Sequence, residues 1–188
     1  MSDLEPAPPG PVVWWADLTA ADLSLVAWLD PDERARLAGI DRVADRGRFL
    51  VGAALLRVAV ASATGRPRVE VVVTRTCSGC GQPHGAPRVA GTAVSVAHAS
   101  GLVAVATAAG LVGVDVERVD RGGDMTAWVR DEARYKATSA VDGRAPAMQT
   151  VPLTPPLPGY RAAVVLPASE TGAVVVHDPA TSARALRG

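Results

Sequence analysis

The chain has 188 residues, 48% of them hydrophobic and 4% aromatic, with 19 basic and 19 acidic side chains. This length suits one domain or two small lobes that share a core, and the balanced charge favours neither nucleic acid nor an anionic membrane as a partner. The N-terminus lacks the features of a secretory signal, the apolar stretches are expected to be far shorter than a membrane span, and two cysteines cannot form a disulfide scaffold. The composition therefore predicts a soluble cytoplasmic protein.

The first elements are predicted from turn and capping residues. Residues 1–10 are acidic and rich in proline, which predicts a disordered leader, and residues 11–15 (PVVWW) predict a short strand. A helix is expected to start at Asp30, with Asp30 as the N-cap, Pro31 at the first helical position and Glu33 at the third.

A second helix is predicted over residues 41–63. Its buried stripe would contain Phe49, Leu50, Leu56 and Val60. Residues 69–75 (VEVVVTR) are rich in valine and predict a strand, and residues 77–87 (CSGCGQPHGAP) predict a loop.

Three further strands are predicted over residues 94–97, 102–106 and 111–117, the last two joined as a hairpin across Ala109-Gly110. Residues 124–139 predict a helix that Asp124 can cap.

The C-terminal part begins with residues 142–159, which are rich in proline and glycine and predict a loop. Residues 161–166 and 173–177 predict a final pair of strands. The element order predicts an α+β fold of two similar halves, residues 11–90 and residues 91–188, with the chemical motifs in the second half.

Two carboxylates are predicted to share one face of the strand at residues 113–117 (GVDVE). Side chains alternate along a strand, so Val114 and Val116 face the core while Asp115 and Glu117 project together to the other side, roughly 6–7 Å apart. A divalent cation such as Mg²⁺ would offset their repulsion. A solvent-facing acidic strand is the alternative.

On the following helix, Trp128, Glu132 and Lys136 recur every four residues and share one face. They indicate either a surface Glu–Lys pair beside an anchoring Trp, or a third carboxylate near a metal with a lysine that meets a phosphate. Lys136 is the only lysine among 19 basic residues. A lysine is expected if this position needs a compact point charge for a phosphate, and retention of one lysine by chance is the alternative.

His98 follows a predicted strand at a strand-to-turn junction. It can hydrogen-bond a phosphate or serve as a structural turn residue.

Together these segments resemble the 4'-phosphopantetheinyl transferase superfamily of the surfactin-synthetase-activating (Sfp-like) type. The shared pattern is a histidine after a strand, the GVDVE strand, and W-x-x-x-E-A-x-x-K at residues 128–136. Residues 48–57 match the R-x-L-x-G…LLR stretch of that family, and residues 84–87 (HGAP) match the place of its G-K-P motif. The resemblance covers residues 12–177 and rests on the order and spacing of these motifs, in an unusually short chain.

The resemblance implies a transferase fold with two similar halves in a pseudo-two-fold arrangement. It implies Mg²⁺-dependent transfer of the 4'-phosphopantetheine arm of coenzyme A to a serine of an apo acyl or peptidyl carrier protein, with release of adenosine 3',5'-bisphosphate. The expected partners are coenzyme A and the carrier protein, and the expected state is a monomer in the cytoplasm.

The resemblance also assigns roles to individual residues. Glu132, directly or through a water, is the candidate for deprotonating the carrier serine, and Lys136 and His98 would contact phosphate oxygens. The other assignments are Asp115, Glu117 and Glu132 as magnesium ligands, Arg48 and Arg36 as contacts to the 3'-phosphate of coenzyme A, and His84, Gly85 and Pro87 as further coenzyme A contacts.

Several positions depart from the family pattern. Asp131 stands where a lysine is usual, Ala86 replaces the lysine of G-K-P, Ala97 and Ser95 replace the residues before the histidine, and residues 118–127 form a shorter segment than in most relatives. These departures motivate a second hypothesis, a non-catalytic relative that binds coenzyme A or a carrier protein.

Cys77 and Cys80 form a C-x-x-C motif, with His84 four residues later. The three residues could bind zinc in a small interaction module, although a structural zinc usually takes four ligands. A purely structural or adenine-side loop is the alternative.

Overall fold

Two β-sheets form the centre of the protein in a computed structural model that describes residues 10–77, 79–82, 85–139, 141 and 143–188. The predicted leader, apart from Gly10, lies outside the described residues. The strands are β1 (Val12–Asp17), β2 (Ala93–Ala99), β3 (Leu102–Ala108), β4 (Gly113–Arg118), β5 (Met148–Leu153), β6 (Tyr160–Pro167) and β7 (Val175–His177). The first sheet has the order β2-β3-β1-β7 and the second the order β4-β6-β5.

Four α-helices accompany the sheets: α1 (Pro31–Ala38), α2 (Val43–Thr64), α3 (Met125–Thr138) and α4 (Pro179–Arg187). The predicted helix start at α1 is confirmed, because the Glu33 amide donates to the Asp30 carboxylate at 2.8 Å and the Asp30 amide donates to the Glu33 carboxylate at 3.3 Å. The helices and sheets together confirm the α+β class.

The packing places four layers in the order helix, sheet, sheet, helix. α2 covers the outer face of the first sheet, and α3 covers the outer face of the second. The core between the two sheets is built from alternating residues of β1 and β3 on one side and of β4 and β6 on the other: Val13, Trp15, Leu102, Ala104, Ala106, Val114, Val116, Val164 and Leu166. β2 and β3 lie after residue 90 in the chain and complete the sheet that begins with β1.

The predicted helix at residues 41–63 is confirmed as α2. The buried residues of α2 are not confined to one face of the helix, as the predicted stripe would require. Every residue from 50 to 60 is buried, while Phe49 is half-buried. α2 has 22 residues and a mean hydropathy of 1.4, so by length and composition alone it could cross a membrane. The expectation that all apolar stretches are far shorter than a membrane span is therefore wrong at α2. In the folded protein, 72% of the most apolar 18-residue segment of α2 is buried, as expected of a core helix.

The predicted hairpin across Ala109-Gly110 is wrong. β3 pairs with β2 across the turn at Ser100 and Gly101, whereas β4 pairs with β6 in the other sheet. Ala109 and Gly110 mark the point where the chain crosses between sheets. A turn signal shows where the chain changes direction, but it does not identify the partner of the next strand.

The strand predicted at residues 69–75 is also wrong. A short 3-10 helix occupies Arg68–Glu70, and only an isolated bridge joins Thr74 to Arg88. Val69 and Val72 are 91% and 75% exposed, while Val71 and Val73 pack on the core. The valine-rich composition indicates partial burial, and among the described residues no strand forms a ladder with this segment.

The C-terminal part corrects two further expectations. The loop predicted over residues 142–159 contains β5, where Pro152 is tolerated because β5 is an edge strand of its sheet. β6 and β7 do not pair with each other: β6 lies between β4 and β5, and β7 adds to β1 in parallel. α4 was not predicted, although Asp178 and Pro179 give it the same start as α1.

Gly113 allows α3 to lie directly on β4. A β-carbon at this position would come within 1.9 Å of the carbonyl oxygen of Ala133 and within 2.6 Å of the amide nitrogen of Ala137. Both atoms belong to the helix backbone, so no side-chain rotation could relieve the clash.

We therefore predict that Gly113→Ala lowers the free energy of unfolding by about 3 kcal/mol, because α3 must move off β4. Urea unfolding monitored by circular dichroism measures this change. Gly110→Ala is the matched control, since its β-carbon would meet only a Pro167 side-chain atom at 3.8 Å. Equal stability of the two variants would contradict the close packing of α3.

Candidate functional site

The alternation of β4 places two carboxylates under α3. Val114 and Val116 face the core between the sheets, and Asp115 and Glu117 project from the opposite face of the strand. Asp115 is only 4% exposed. The predicted sharing of one face by these two acids is confirmed, but that face is covered by a helix rather than open to solvent.

Residues of α3 complete this arrangement. The predicted cap is confirmed, because the Asp124 carboxylate accepts hydrogen bonds from the amides of Thr126 and Ala127 at 2.9 and 3.0 Å. Ala133 and Ala137 pack on the sheet, while Glu132 and Lys136 are half-buried at its edge. Trp128, on the same predicted face, is 51% exposed.

Asp115 has one paired and one unpaired oxygen. The Lys136 ammonium lies 2.7 Å from its Oδ1 and also donates to the Val114 carbonyl at 3.3 Å. Its Oδ2 is buried without a hydrogen-bond partner among the described residues. A buried acceptor that lacks a donor is costly to the fold, so Oδ2 is a position that a ligand or a cation would satisfy.

The charges around Asp115 perturb its ionisation. Burial raises the pKa of Asp115, Lys136 opposes the rise, and the negative charges of Glu117 and Glu132 add to it. Glu117 and Glu132 are thus near enough to Asp115 for their charges to act on its carboxylate. A cluster of carboxylates with an unpaired buried oxygen is electrostatically suited to a cation.

The acids are not arranged as a complete metal site. Glu117 pairs with the Arg121 guanidinium at 2.7 Å, and Asp115 pairs with Lys136. Over the part of the chain that the structure describes, no three His, Cys, Asp or Glu side chains are placed together to hold a metal ion. A divalent cation would have to draw at least one of these carboxylates away from its present partner.

Positive side chains gather near His98 at the end of β2. His98 is exposed to solvent, but the surrounding protein removes part of its hydration, which lowers the pKa of His98, and the charges of Arg48, Lys136 and Arg36 lower it further. The imidazole is therefore expected to be neutral near pH 7, a form that carries one N–H donor and one acceptor nitrogen.

Two arginines from the N-terminal helices reach this region. The Arg48 guanidinium donates to the Ser100 carbonyl at 2.6 Å and also pairs with Asp45. Arg36 stacks over the Phe49 ring, with its guanidinium carbon 5.2 Å from the ring centre. The charges of both arginines reach His98, although Arg36 is held against Phe49 and Arg48 against Ser100.

A cavity of about 370 Å³ lies beside Lys136. Ala86 and Pro87 line it from the loop before β2, and Val94, Leu111 and Ser139 complete part of its wall. The structure thus brings Pro87 and Lys136, which are 49 residues apart in the chain, to one cavity.

Gly85 packs tightly near this loop. Its amide donates to the Arg75 carbonyl at 2.7 Å, and a β-carbon on Gly85 would lie 2.6 Å from the carbonyl oxygen of Thr76. Gly85 is therefore needed for close backbone approach. His84, predicted with it, lies outside the described residues.

Arg36 lines a different cavity, of about 360 Å³, between α1 and residues 73–81. Arg75 lines it too, and burial lowers the pKa of Arg75. At the rim, the buried Glu33 carboxylate pairs with Arg57 at 2.7 Å. Arg36 is thus not brought to the cavity beside Lys136.

Sequence analysis missed two contacts at the site. The Ser95 hydroxyl accepts a hydrogen bond from the Val114 amide at 3.0 Å and joins β2 to β4 across the sheet boundary. Arg121, the partner of Glu117, was not singled out. The i,i+4 spacing of Glu117 and Arg121 was a visible signal, but the Ser95 contact depends on how the sheets meet.

Asp131, which stands where the resemblance predicts a lysine, is 67% exposed and pairs with the Arg130 guanidinium at 2.9 Å. It lines an open cavity of about 430 Å³ together with Trp128 and Arg121. The short segment before α3 contains a 3-10 helix at Val119–Arg121.

Comparison with protein-family models gives no match for this chain, and a search of curated proteins also gives no significant match.

The raised pKa of Asp115 predicts a specific pH dependence of stability. The folded protein holds this proton more tightly than the unfolded chain, where the pKa is near its usual value of 3.8. The contribution of Asp115 to stability therefore falls as pH rises from 3.8 through the raised pKa. We predict that Asp115→Asn is more stable than the wild type at pH 7, and that this advantage shrinks at pH 4.

Urea unfolding at the two pH values measures this difference. Asp120→Asn is the control of opposite sign, because the hydrogen bond from Arg118 lowers the pKa of Asp120. Loss of this exposed carboxylate should not stabilise the protein at pH 7. An Asp115→Asn advantage that grows towards pH 4 would contradict the assigned direction.

Proposed function

We propose that the protein transfers the 4'-phosphopantetheine arm of coenzyme A to a serine of an acyl or peptidyl carrier protein in a Mg²⁺-dependent reaction. The observation that carries this proposal is the buried Asp115 carboxylate, held by Lys136 through Oδ1 and unpaired at Oδ2. It lies among two further acids and close to the basic group around His98. This juxtaposition of cation ligands with phosphate-binding side chains suits a pyrophosphate bridged to a metal.

The proposal includes the transferase fold. In support, each sheet is covered by one main helix, α2 on the first and α3 on the second, as in an arrangement of two similar halves. We also propose that the protein acts as a monomer in the cytoplasm.

The acidic residues fit a magnesium ion by their chemistry. Mg²⁺ prefers carboxylate oxygens and keeps open positions for phosphate, and Asp115 Oδ2 is a buried acceptor without a donor. Asp115, Glu117 and Glu132 would hold the ion. When bound, it neutralises the charge of the pyrophosphate and so makes the phosphorus easier to attack.

The basic residues bind and orient coenzyme A in this proposal. Lys136 lies at the boundary between the acid cluster and the cavity that Pro87 lines, so its ammonium can contact a phosphate oxygen while the pantetheine arm enters the cavity. A neutral His98 donates one hydrogen bond to a phosphate. Arg48, fixed on Ser100, presents its charge to the 3'-phosphate, with Arg36 nearby.

Glu132 acts as the base. It takes the proton from the carrier serine, directly or through one water, as the serine oxygen bonds to the phosphorus that bears the pantetheine arm. The bond from that phosphorus to the oxygen of adenosine 3',5'-bisphosphate breaks, and the bisphosphate leaves. Catalysis of this kind depends on positioning and charge neutralisation.

A non-catalytic relative that binds coenzyme A or a carrier protein is the second candidate. Two observations favour it: Asp131 places a negative charge where the family has a lysine, and both Asp115 and Glu117 are occupied by cations of the chain itself. Both candidates predict binding of coenzyme A, so turnover separates them.

We predict that an apo carrier protein incubated with this protein, coenzyme A and Mg²⁺ gains the mass of one phosphopantetheine arm, and that a chelator abolishes the gain. Glu132→Gln should slow the transfer by about 100-fold or more, as expected for loss of a general base. Intact-protein mass spectrometry measures both.

Glu70→Gln is the matched control, because Glu70 lies in the exposed 3-10 helix at Arg68–Glu70, before the loop that reaches the site. It should transfer at the wild-type rate. No mass gain on several carriers, from a folded protein that binds coenzyme A, would overturn the transferase proposal in favour of the binding relative. Full activity of Glu132→Gln would remove Glu132 from the role of base.

A further inference from the structure

Arg121 contacts the acid cluster of Asp115, Glu117 and Glu132, and the proposed transfer gives it no role. It is the last residue of the 3-10 helix Val119–Arg121, between β4 and α3. Its guanidinium lies 2.7 Å from Oε1 of Glu117. The hydrogen bond to Glu117 raises the pKa of Arg121, and the charges of Glu117 and Asp115 add to the rise. A cation of the chain itself is therefore held beside two of the three acids proposed to bind magnesium.

The two cations at the acid cluster are held differently. Lys136 is 26% exposed, pairs with Asp115 at 2.7 Å and donates to the Val114 carbonyl at 3.3 Å. Arg121 is 59% exposed, and its partner Glu117 is 15% exposed. An ion pair whose cation is this exposed contributes little to stability, because water can replace the carboxylate around the guanidinium. Arg121 is thus easier to displace than Lys136.

Space for a displaced Arg121 side chain lies next to it. Arg121 lines the open cavity of about 430 Å³ that Trp128 and Asp131 also line. Rotation about the side-chain bonds of Arg121 is enough to move its guanidinium from Glu117 into this space. The exposed carboxylate of Asp131 is an acidic neighbour for the guanidinium there. Neither β4 nor α3 has to move for Glu117 to become available.

We propose that Arg121 is a built-in competitor of the divalent cation: its guanidinium occupies Glu117 until the cation displaces it, and so it lowers the affinity of the site. This competition rests on the magnesium site of the proposed function. Two cations at one carboxylate repel each other, so Arg121 and a bound ion exclude one another at Glu117. Asp115 needs no such exchange, because Lys136 takes its Oδ1 and leaves Oδ2 unpaired.

The test is Mn²⁺ binding in the presence of coenzyme A, followed by electron paramagnetic resonance of the free ion. Arg121→Gln removes the competing charge and should tighten Mn²⁺ binding by about two- to fivefold, the range expected for loss of one exposed ion pair. Arg130→Gln is the matched control. It also removes an exposed arginine, but the partner of Arg130 is Asp131, which does not belong to the acid cluster. This control should bind Mn²⁺ as the wild type does.

A measurement on the wild-type chain follows the displaced side chain itself. In carbon-detected NMR, the guanidinium signals of Arg121 and Arg130 are identified by their loss in the two variants. Addition of Mg²⁺ should shift the Arg121 signal, with the midpoint at which Mg²⁺ displaces Mn²⁺, and should leave the Arg130 signal in place. An Arg121 signal that does not move at saturating Mg²⁺ would overturn the competition.

The Mn²⁺ measurements separate failure of the competition from failure of the metal site. If Asp115→Asn weakens Mn²⁺ binding but Arg121→Gln does not tighten it, the competition is wrong and the site remains. Equal tightening in Arg121→Gln and Arg130→Gln would show a general effect of charge and would also overturn the competition. If neither the wild type nor Arg121→Gln binds Mn²⁺, the competition fails together with the magnesium site.

Discussion

The close packing of α3 on β4 is the constraint on which the site depends. Gly113 has no side chain where the backbone of Ala133 passes, so the helix lies against the strand. That contact buries Asp115 and brings Lys136 within 2.7 Å of it. A wider separation would admit water to Asp115, reduce the rise in its pKa and release Lys136 from the Val114 carbonyl. One glycine thus links the packing of the second sheet to the electrostatics of the acid cluster.

A second link comes from the meeting of the two sheets. The Ser95 hydroxyl accepts a hydrogen bond from the Val114 amide, which ties β2 to the start of β4. His98 lies three residues further along β2, on the strand that this contact joins to β4. The Arg48 contact to Ser100 then holds α2 to the turn that follows β2. Arg48 from α2 is therefore held near the end of β2, on which His98 lies.

The sequence predicted the parts of the site better than their assembly. The capped helix α1, the extent of α2 and the shared face of Asp115 and Glu117 follow from local rules of capping and periodicity, and the structure confirms them. Strand pairing was predicted poorly: the chain crosses between sheets at Gly110, and β5 forms in a segment with proline. Pairing depends on distant partners, which local patterns do not encode. Alternation along β4 correctly predicts the face on which Glu117 lies. It does not predict that Glu117 pairs with Arg121.

The most direct test of the cation site is Mn²⁺ binding in the presence of coenzyme A, followed by electron paramagnetic resonance of the free ion. The wild-type chain should remove Mn²⁺ from solution at one saturable site that Mg²⁺ competes for. Asp115→Asn, which loses the charged oxygen at this position, should weaken the binding by about tenfold or more, while Asp120→Asn should bind as the wild type does. Equal Mn²⁺ affinity of the wild type and Asp115→Asn would contradict the account.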